Sequence, residues 1–137
     1  DGGSRGNPGP AAGAAVLFAI NANGTQGEKV GEAAKYIGIE TNNQAEYTGI
    51  IIGLQKALDL CYEAVDVRLD SELAVKQLKG IYRVKNPDIA KRFLEVHNLR
   101  TKLKKVTFTH VYREDNVDAD ALVNATLDAM GSRKSTR

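Results

Sequence analysis

Four acidic residues lie at the boundaries of predicted secondary-structure elements. Asp1 stands where a first strand meets its turn, Glu46 lies in the first turn of a helix, Asp70 ends a strand, and Asp120 lies near the start of the last helix. Carboxylates gathered in one pocket would repel one another unless a cation lay among them. Hard oxygen ligands without a Cys/His cluster favour Mg²⁺ or Mn²⁺ over zinc. Surface carboxylates often lie at helix N-termini to oppose the dipole, so any one of these acids taken singly is better explained as structural, and it is the set that points to a site.

The stretch "TNNQAEY", residues 41–47, places amides directly before an apolar run. Thr41 or Asn42 can cap the helix that follows, which is the structural interpretation. Amides also both donate and accept hydrogen bonds, as recognition of a polar ligand requires. Both roles can hold for the same residue.

The elements that must position these residues alternate between strands and helices, which predicts one α/β domain over residues 1–137. Gly49 and Gly53, four residues apart within a helix, predict close packing against a neighbour. Residues 2–10 form a Gly/Pro-rich turn, and residues 131–137 a flexible tail. The predicted strands cover 11–20, 29–39, 64–70 and 106–112, and the predicted helices cover about 42–60, 71–79, 88–104 and 116–130.

Composition is ordinary for a globular protein, with 42% hydrophobic and 26% charged residues in 137. The single cysteine, Cys61, cannot form an internal disulfide, which favours a reducing compartment and a buried structural thiol. No apolar run has transmembrane length, and the start does not resemble a signal peptide. We therefore expect a cytoplasmic monomer with no membrane partner.

The charge is unevenly distributed along the chain. Residues 71–113 hold 11 Lys and Arg against 3 Asp and Glu, whereas the blocks before and after are acidic. Solvated helix faces would explain this pattern, and so would a surface that binds a phosphate backbone. Charge by itself does not distinguish the two.

Four segments, taken in order and spacing, resemble type 1 ribonuclease H over essentially the whole chain. They are "DGGSRGNPGP" (1–10), "TNNQAEY" (41–47), "LDSELAVKQLKG" (69–80) and "REDNVDADAL" (113–122). The resemblance implies a ribonuclease H-like fold, with a five-stranded mixed sheet flanked by helices. It also implies a metal-dependent endonuclease that hydrolyses the RNA strand of RNA/DNA hybrids and leaves 5′-phosphate and 3′-hydroxyl ends.

The resemblance further implies that Asp1, Glu46, Asp70 and Asp120 hold two Mg²⁺ ions, for which Mn²⁺ can substitute. One ion would lower the pKa of the attacking water, and the other would stabilise the leaving oxygen. In the last motif the family pattern is Asn, two residues, then Ala-Asp. It matches Asn116 and Asp120, and leaves Asp118 as a first-turn helix residue.

Substrate contacts are implied in the same way. Asn7 and Asn43 would touch RNA hydroxyls, and Thr41 and Asn42 would hold a phosphate of the DNA strand. Contacts along the DNA strand, which set position but not sequence, fall to Lys79, Tyr82, Arg83 and Lys85.

The sequence departs from the family pattern in three places. The family's first strand begins several residues before the leading aspartate, so we expect the complete protein to extend before Asp1. The segment "HVYREDNVD" has no His-containing loop, and Arg113 is expected to take up part of its task by neutralising phosphate. Glu72 stands where Gln is frequent, which would alter one RNA contact.

Three alternatives remain at this stage. Integrases, resolvases, exonucleases and the ribonuclease H domain of a reverse transcriptase use the same acids on a similar sheet. A hybrid-binding module without cleavage would keep the amide and basic contacts. A structural α/β domain would use its boundary acids only as caps and would bind no metal.

Overall fold

The chain alternates three strands, a long helix, and then strands and helices in turn. A computed structural model describes residues 1–135, with side chains as far as Gly131. The strands are β1 (Gly2–Ser4), β2 (Gly9–Ile20), β3 (Gln26–Glu40), β4 (Ala64–Leu69) and β5 (Lys105–His110). The helices are α1 (Asn42–Asp59), α2 (Glu72–Leu78), α3 (Pro87–Arg100), the short 3₁₀ helix Arg113–Asp115, and α4 (Val117–Ser135).

The strands form two separately hydrogen-bonded sheets. β1, β2 and β3 pair antiparallel in that order, and β4 pairs parallel with β5. The fold is therefore α/β with mixed pairing, but the expected five-stranded sheet is found as three strands plus two. The reason is the length of β1, which pairs with β2 only as far as Gly13 and presents no strand beside β4.

Two predictions near the start of the chain and in the middle need correction. Gly2–Ser4 is a strand rather than part of a turn, because pairing with residues 11–13 of β2 imposes an extended backbone on residues of low strand propensity. Cys61 is exposed rather than buried, because it follows the end of α1 in a left-handed conformation (φ 66°) that turns the chain away from the core.

The start of α1 is fixed by a reciprocal cap. The Thr41 hydroxyl accepts from the Gln44 backbone N–H at 3.2 Å, and the Gln44 side chain accepts from the Thr41 N–H at 2.8 Å. This capping box satisfies two donors that a helix start leaves unpaired. The prediction of a cap at Thr41 or Asn42 is thereby resolved in favour of Thr41.

The main core lies between α1, the β4–β5 pair, α2 and α3. Tyr47, Leu54 and Val96 are its largest fully buried side chains. A smaller cluster joins β2 to α4 through Ala12, Ala14, Val123 and Leu127. The hydroxyl of Tyr47 donates to Gln77 Oε1 at 2.8 Å, which links the start of α1 to α2 inside the core.

Three elements in the second half of the chain end at other residues than the sequence predicts. α3 ends at Arg100 and β5 at His110, both earlier than predicted. α4 continues to Ser135, into the segment expected to be a flexible tail, while residues 136–137 lie outside the described part of the chain. No helix within the described residues is long and apolar enough to cross a membrane.

Candidate functional site

Asp1 is held against the rest of the site by its backbone. Its nitrogen donates to Ala14 O at 2.7 Å, and Ala14 N–H donates to Asp1 O at 2.9 Å, so the two residues form a closed antiparallel pair. A Cβ built on Gly49 would lie 2.2 Å from Asp1 O, which only glycine avoids. This confirms the predicted close packing at Gly49.

Glu46 lies half-buried in the second turn of α1, one turn further into the helix than predicted. Burial raises the pKa of its carboxyl above the ordinary value, and the charge of Asp70 raises it further. The Ser71 hydroxyl, which hydrogen-bonds the carboxylate, opposes this shift, as does the charge of Arg113. The carboxylate therefore has an acid, a hydroxyl and a guanidinium within electrostatic reach.

Asp70 follows β4 directly, and Ser71 then caps α2. The Ser71 hydroxyl accepts from the Ala74 N–H at 3.2 Å, which starts the helix immediately after the acid. The same hydroxyl reaches Glu46, so Ser71 connects the end of β4 with α1. Sequence reasoning did not single out Ser71; an Asp-Ser pair that ends a strand and opens a helix was the signal.

Asp120 lies half-buried in the first turn of α4, and its backbone N–H donates to Asn116 O at 3.1 Å. Asn124 Nδ2 lies 3.5 Å from its carboxylate. Asp118, in the same helical turn, is exposed. Of the two acids in this turn, the one predicted as a ligand, Asp120, is the one whose side chain faces inward.

Three of the acids, Glu46, Asp70 and Asp120, lie within electrostatic range of the Asp1 nitrogen. Glu46 and Asp70 also act on each other, because the charge of Asp70 raises the pKa of the Glu46 carboxyl. Within the described residues, however, no group of three or more His, Cys, Asp or Glu side chains is arranged so that it could hold a metal ion. The acids are neighbours without a shared coordination point.

Divalent ions nevertheless fit this donor set. All four donors are carboxylates, and the raised pKa of Glu46 reflects burial and negative charge that a cation would offset. The side chains are half-buried rather than enclosed in the core. The residues match Mg²⁺ in chemistry, although their oxygens do not yet converge.

The Gly-rich loop is tied to the start of α1 by two asparagines. Asn7 Oδ1 accepts from the Asn42 backbone N–H at 3.1 Å, and Asn42 Oδ1 accepts from the Ser4 N–H at 2.8 Å. Asn43 is half-buried next to them. The structure thus brings Asn7, Thr41, Asn42 and Asn43 together at the start of α1, the helix that carries Glu46.

Arg5 was not singled out from the sequence, yet it connects the same loop to α4. Its guanidinium pairs with Asp128 at 2.6 Å and lies 3.4 Å from Asn124 O. α4 carries Asp120, so this contact joins the loop of Asn7 to the helix of the fourth acid. No sequence signal marked it, because Arg5 and Asp128 are far apart in the chain.

The predicted basic contacts lie at the end of α2 and in the segment that follows it. Lys79 ends α2, and Arg83 and Lys85 lie in the irregular segment before α3; all three are exposed. Tyr82 is 47% exposed, with Lys76 Nζ 5.0 Å from its ring centre. We call residues 79–85 the basic segment.

Glu72 and Arg113 are the two remaining predicted contacts. Glu72 is exposed and pairs with Lys76 at 2.7 Å; this hydrogen bond lowers the pKa of the Glu72 carboxyl. The pair partly neutralises the charge that was expected to face substrate. Arg113, at the start of the 3₁₀ helix, is exposed, and its charge acts on Glu46.

Comparison with known families matches residues 1–126 to a model described as reverse transcriptase-like. Ribonuclease HI of Halobacterium salinarum is 41% identical over 128 residues, 93% of this chain and 62% of that protein. The bifunctional protein Rv2228c of Mycobacterium tuberculosis is 39% identical over 94% of this chain and 34% of its own length. The chain thus spans about a third of one curated relative and under two thirds of the other.

Solved structures give the same result. The N-terminal RNase H domain of Rv2228c has a TM-score of 0.88 at 38% identity, covering 98% of this chain and 94% of the solved chain. RNase H1 of H. salinarum has a TM-score of 0.87 at 42% identity, covering 94% of each chain. LC11-RNase H1, solved in complex with an RNA/DNA hybrid, has a TM-score of 0.84 at 37% identity, covering 95% and 94%.

Proposed function

Because the chain belongs to the type 1 ribonuclease H family, we propose that it is an endonuclease that hydrolyses the RNA strand of RNA/DNA hybrids. The products would carry 5′-phosphate and 3′-hydroxyl ends. The observation that carries the proposal is the neighbourhood of Glu46, Asp70 and Asp120 around the Asp1 nitrogen, in a chain 37% identical to a protein solved with a hybrid.

We assign Asp1, Glu46, Asp70 and Asp120 as the ligands of two divalent ions, Mg²⁺ or Mn²⁺. Such a pair of ions would activate the attacking water and stabilise the leaving oxygen. The chain's own residues position the donors. Gly49 fixes the Asp1 backbone, and Ser71 orients the Glu46 carboxylate by donating a hydrogen bond to it.

Arg113 is proposed to neutralise the substrate phosphate. Its guanidinium is exposed, and its charge acts on Glu46, so it lies at the edge of the acid cluster. A cation there would oppose the repulsion between the carboxylates and an incoming phosphate. In this role Arg113 would compensate for the absence of a His-containing loop in "HVYREDNVD".

RNA would be distinguished from DNA by amides that face the 2′-hydroxyls, and we assign this role to Asn7 and Asn43. Thr41 and Asn42 would hold a phosphate of the DNA strand. The side-chain oxygens of Asn7 and Asn42 already accept backbone hydrogen bonds, so we propose that their Nδ2 groups donate to the nucleic acid. The basic segment would follow the DNA strand, with Tyr82 against a deoxyribose. Glu72 would face the RNA while paired with Lys76.

A cleavage assay tests the proposal. Purified protein is incubated with end-labelled RNA paired to DNA, with Mg²⁺ or with EDTA, alongside duplex DNA and duplex RNA. We expect Mg²⁺-dependent cutting confined to the RNA of the hybrid. Asp120→Asn should abolish it and Asp118→Asn should not, because the two acids share one helical turn but only Asp120 faces inward. Equal loss in both variants would contradict the assignment.

A binding module without cleavage is the second candidate. One observation favours it: three or more acids are nowhere placed to hold an ion in the described part of the chain. Retention of the hybrid in EDTA, with no cutting in Mg²⁺ or Mn²⁺, would support this candidate over the nuclease. If the protein neither retains nor cuts the hybrid, the structural α/β domain is the remaining interpretation.

We further propose that the protein acts as a cytoplasmic monomer. Sedimentation velocity of the purified chain, alone and with a hybrid of one site length, would test the oligomeric state. One protein per hybrid is the expected stoichiometry.

A further inference from the structure

α2 connects the proposed metal ligands with the basic segment. Asp70 and Ser71 directly precede the helix, and Lys79, the first residue of the basic segment, directly follows it. The seven residues of α2 rise about 10 Å at 1.5 Å per residue. The orientation of this short helix therefore decides where the basic segment lies relative to the acids.

Two consecutive residues of α1 hold the two ends of α2. Glu46 hydrogen-bonds the Ser71 hydroxyl at the start of α2. The Tyr47 hydroxyl donates to Gln77 Oε1 in the last turn of α2, at 2.8 Å. Tyr47 is completely buried and Gln77 is 7% exposed, so the second contact lies inside the core. The helix that carries Glu46 thus contacts α2 near both of its ends.

The hydrogen bond between Tyr47 and Gln77 is a polar contact on an otherwise apolar face. Ala74, Val75 and Leu78 are the other buried residues of α2, and all three pack in the main core. Replacing both partners of a buried hydrogen bond by apolar groups of similar shape can be nearly neutral for stability. Apolar burial is non-directional, whereas a hydrogen bond weakens steeply away from its preferred angle. The pair therefore contributes a defined orientation of α2 that apolar packing does not supply.

The first half of the basic segment is hydrogen-bonded to the last turn of α2. The N–H of Gly80 donates to Gln77 O at 3.1 Å, and the N–H of Tyr82 donates to Lys76 O at 3.2 Å. Tyr82 therefore follows any change in the orientation of α2. Val84, in contrast, packs against the main core, so the second half of the segment has an anchor of its own.

We propose that Tyr47 and Gln77 are positioning residues for hybrid binding, an inference that rests on the proposed function. Their hydrogen bond sets the orientation of α2, and α2 places Lys79 and Tyr82 at a fixed distance from the phosphate that is cut. The pair acts through α2 and touches neither substrate nor ions. Its loss should therefore weaken binding of the hybrid and leave the chemical step, which depends on the acids, nearly unchanged.

The central variant is the double substitution Tyr47→Phe/Gln77→Leu. It removes both polar partners and keeps two buried side chains of similar size, so we expect a thermal midpoint close to that of wild type. KM for the hybrid should rise about fivefold, while kcat stays within about twofold of wild type. A merely structural role would lower the thermal midpoint and leave KM of the folded protein unchanged, and that result would overturn the proposal.

Thr48→Val is the matched control. Thr48 follows Tyr47 in α1, is 7% exposed, and donates its hydroxyl hydrogen bond to Gln44 O at 2.9 Å. The substitution removes a buried hydrogen bond from α1, but one that does not involve α2. KM of this variant should equal that of wild type. A rise as large as that of the double variant would overturn the proposal, since any buried change in α1 would then have the same effect.

The basic segment provides a second comparison. Lys79→Ala and Lys85→Ala are each made in wild type and in the double variant, because Lys79 ends α2 whereas Lys85 follows the core contact of Val84. The increase in KM caused by Lys79→Ala should be smaller by at least about half in the double variant. The increase caused by Lys85→Ala should persist. Full additivity at Lys79 would overturn the proposal.

Spin-label distances test the orientation of α2 without any cleavage readout. One pair of labels lies on Cys61, after the end of α1, and on the cysteine of Lys79→Cys; the control pair lies on Cys61 and on the cysteine of Asn98→Cys in α3. All three positions are exposed. We expect the double variant to broaden or shift the distances from α1 to α2 and to leave those from α1 to α3 unchanged.

The two kinds of failure are distinguishable. A wild-type chain that does not cut hybrids would contradict the proposed function, while the label distances would still show whether the pair orients α2. Distances from α1 to α2 that are the same in wild type and in the double variant would overturn the inference, even in an active enzyme.

Discussion

The acid cluster and the basic segment are built in opposite ways. The acids are half-buried and lie in or beside four different elements, and their surroundings include the backbone pairing of Asp1 with Ala14 and the hydrogen bond of Ser71 with Glu46. The basic segment is irregular in backbone and exposed except at Val84, which packs against the main core, and Lys76 contacts Tyr82 from α2. Chemistry at a single phosphate needs fixed geometry, whereas contact with a charged backbone needs only a nearby cation. Substitutions in the acid cluster should therefore lower the rate of cleavage, whereas substitutions in the basic segment should weaken binding of the hybrid.

The largest expected effect is at Asp70. Asp70→Asn removes metal-binding charge but little volume, so we expect hybrid cleavage to fall by about a thousandfold or more while the fold is retained. Cleavage rates and circular dichroism of both proteins would check this. Cutting at the wild-type rate would remove Asp70 from the ligand set.

Gly49→Ala should lower the rate of cleavage without changing any charge. The new Cβ would lie 2.2 Å from Asp1 O and 2.9 Å from Ala14 O, so the Asp1 backbone must shift. A displacement of about 1 Å can cost roughly a hundredfold in rate. Gly131→Ala is the matched control, because nothing lies within 4 Å of its Cβ. Equal activity in both variants would show that Asp1 is not held by this contact.

Replacing Lys79, Arg83 and Lys85 together with Ala should act on binding alone. We expect KM for the hybrid to rise about tenfold, with kcat nearly unchanged and a weaker dependence of binding on salt. Titration of KM between low and moderate salt would measure it. A fall in kcat at constant KM would place these residues in the chemistry instead.

The smallest effect concerns stability. The folded-state pKa of Glu46 lies above its unfolded value, so its ionised form costs stability as pH rises through that folded pKa. In metal-free protein, Glu46→Gln should therefore melt at higher temperature than wild type near neutral pH, and the gain should vanish below the unfolded value of about 4.5. Thermal melts from pH 4 to pH 7.5 would show it. A gain independent of pH would indicate packing rather than charge.

The sequence predicted element ends that are determined by residues close together in the chain. Thr41 and Gln44 form a capping box, and α1 begins where that pattern places it. Asp120 was likewise preferred to Asp118 from a motif, and only Asp120 faces inward. Features imposed by distant partners were not foreseen. Gly2–Ser4 becomes a strand only through pairing with β2, and Arg5 finds Asp128 only when α4 packs beside the loop.

The single cysteine has a practical consequence. Cys61 is exposed just after the end of α1, and Glu46 lies near the start of the same helix, roughly 20 Å away at 1.5 Å per residue. A thiol-reactive fluorophore would attach at one place only, far enough from the acids to leave them unobstructed. Energy transfer to a dye on the nucleic acid could then report docking, because α1 fixes the separation between the fluorophore and the acids.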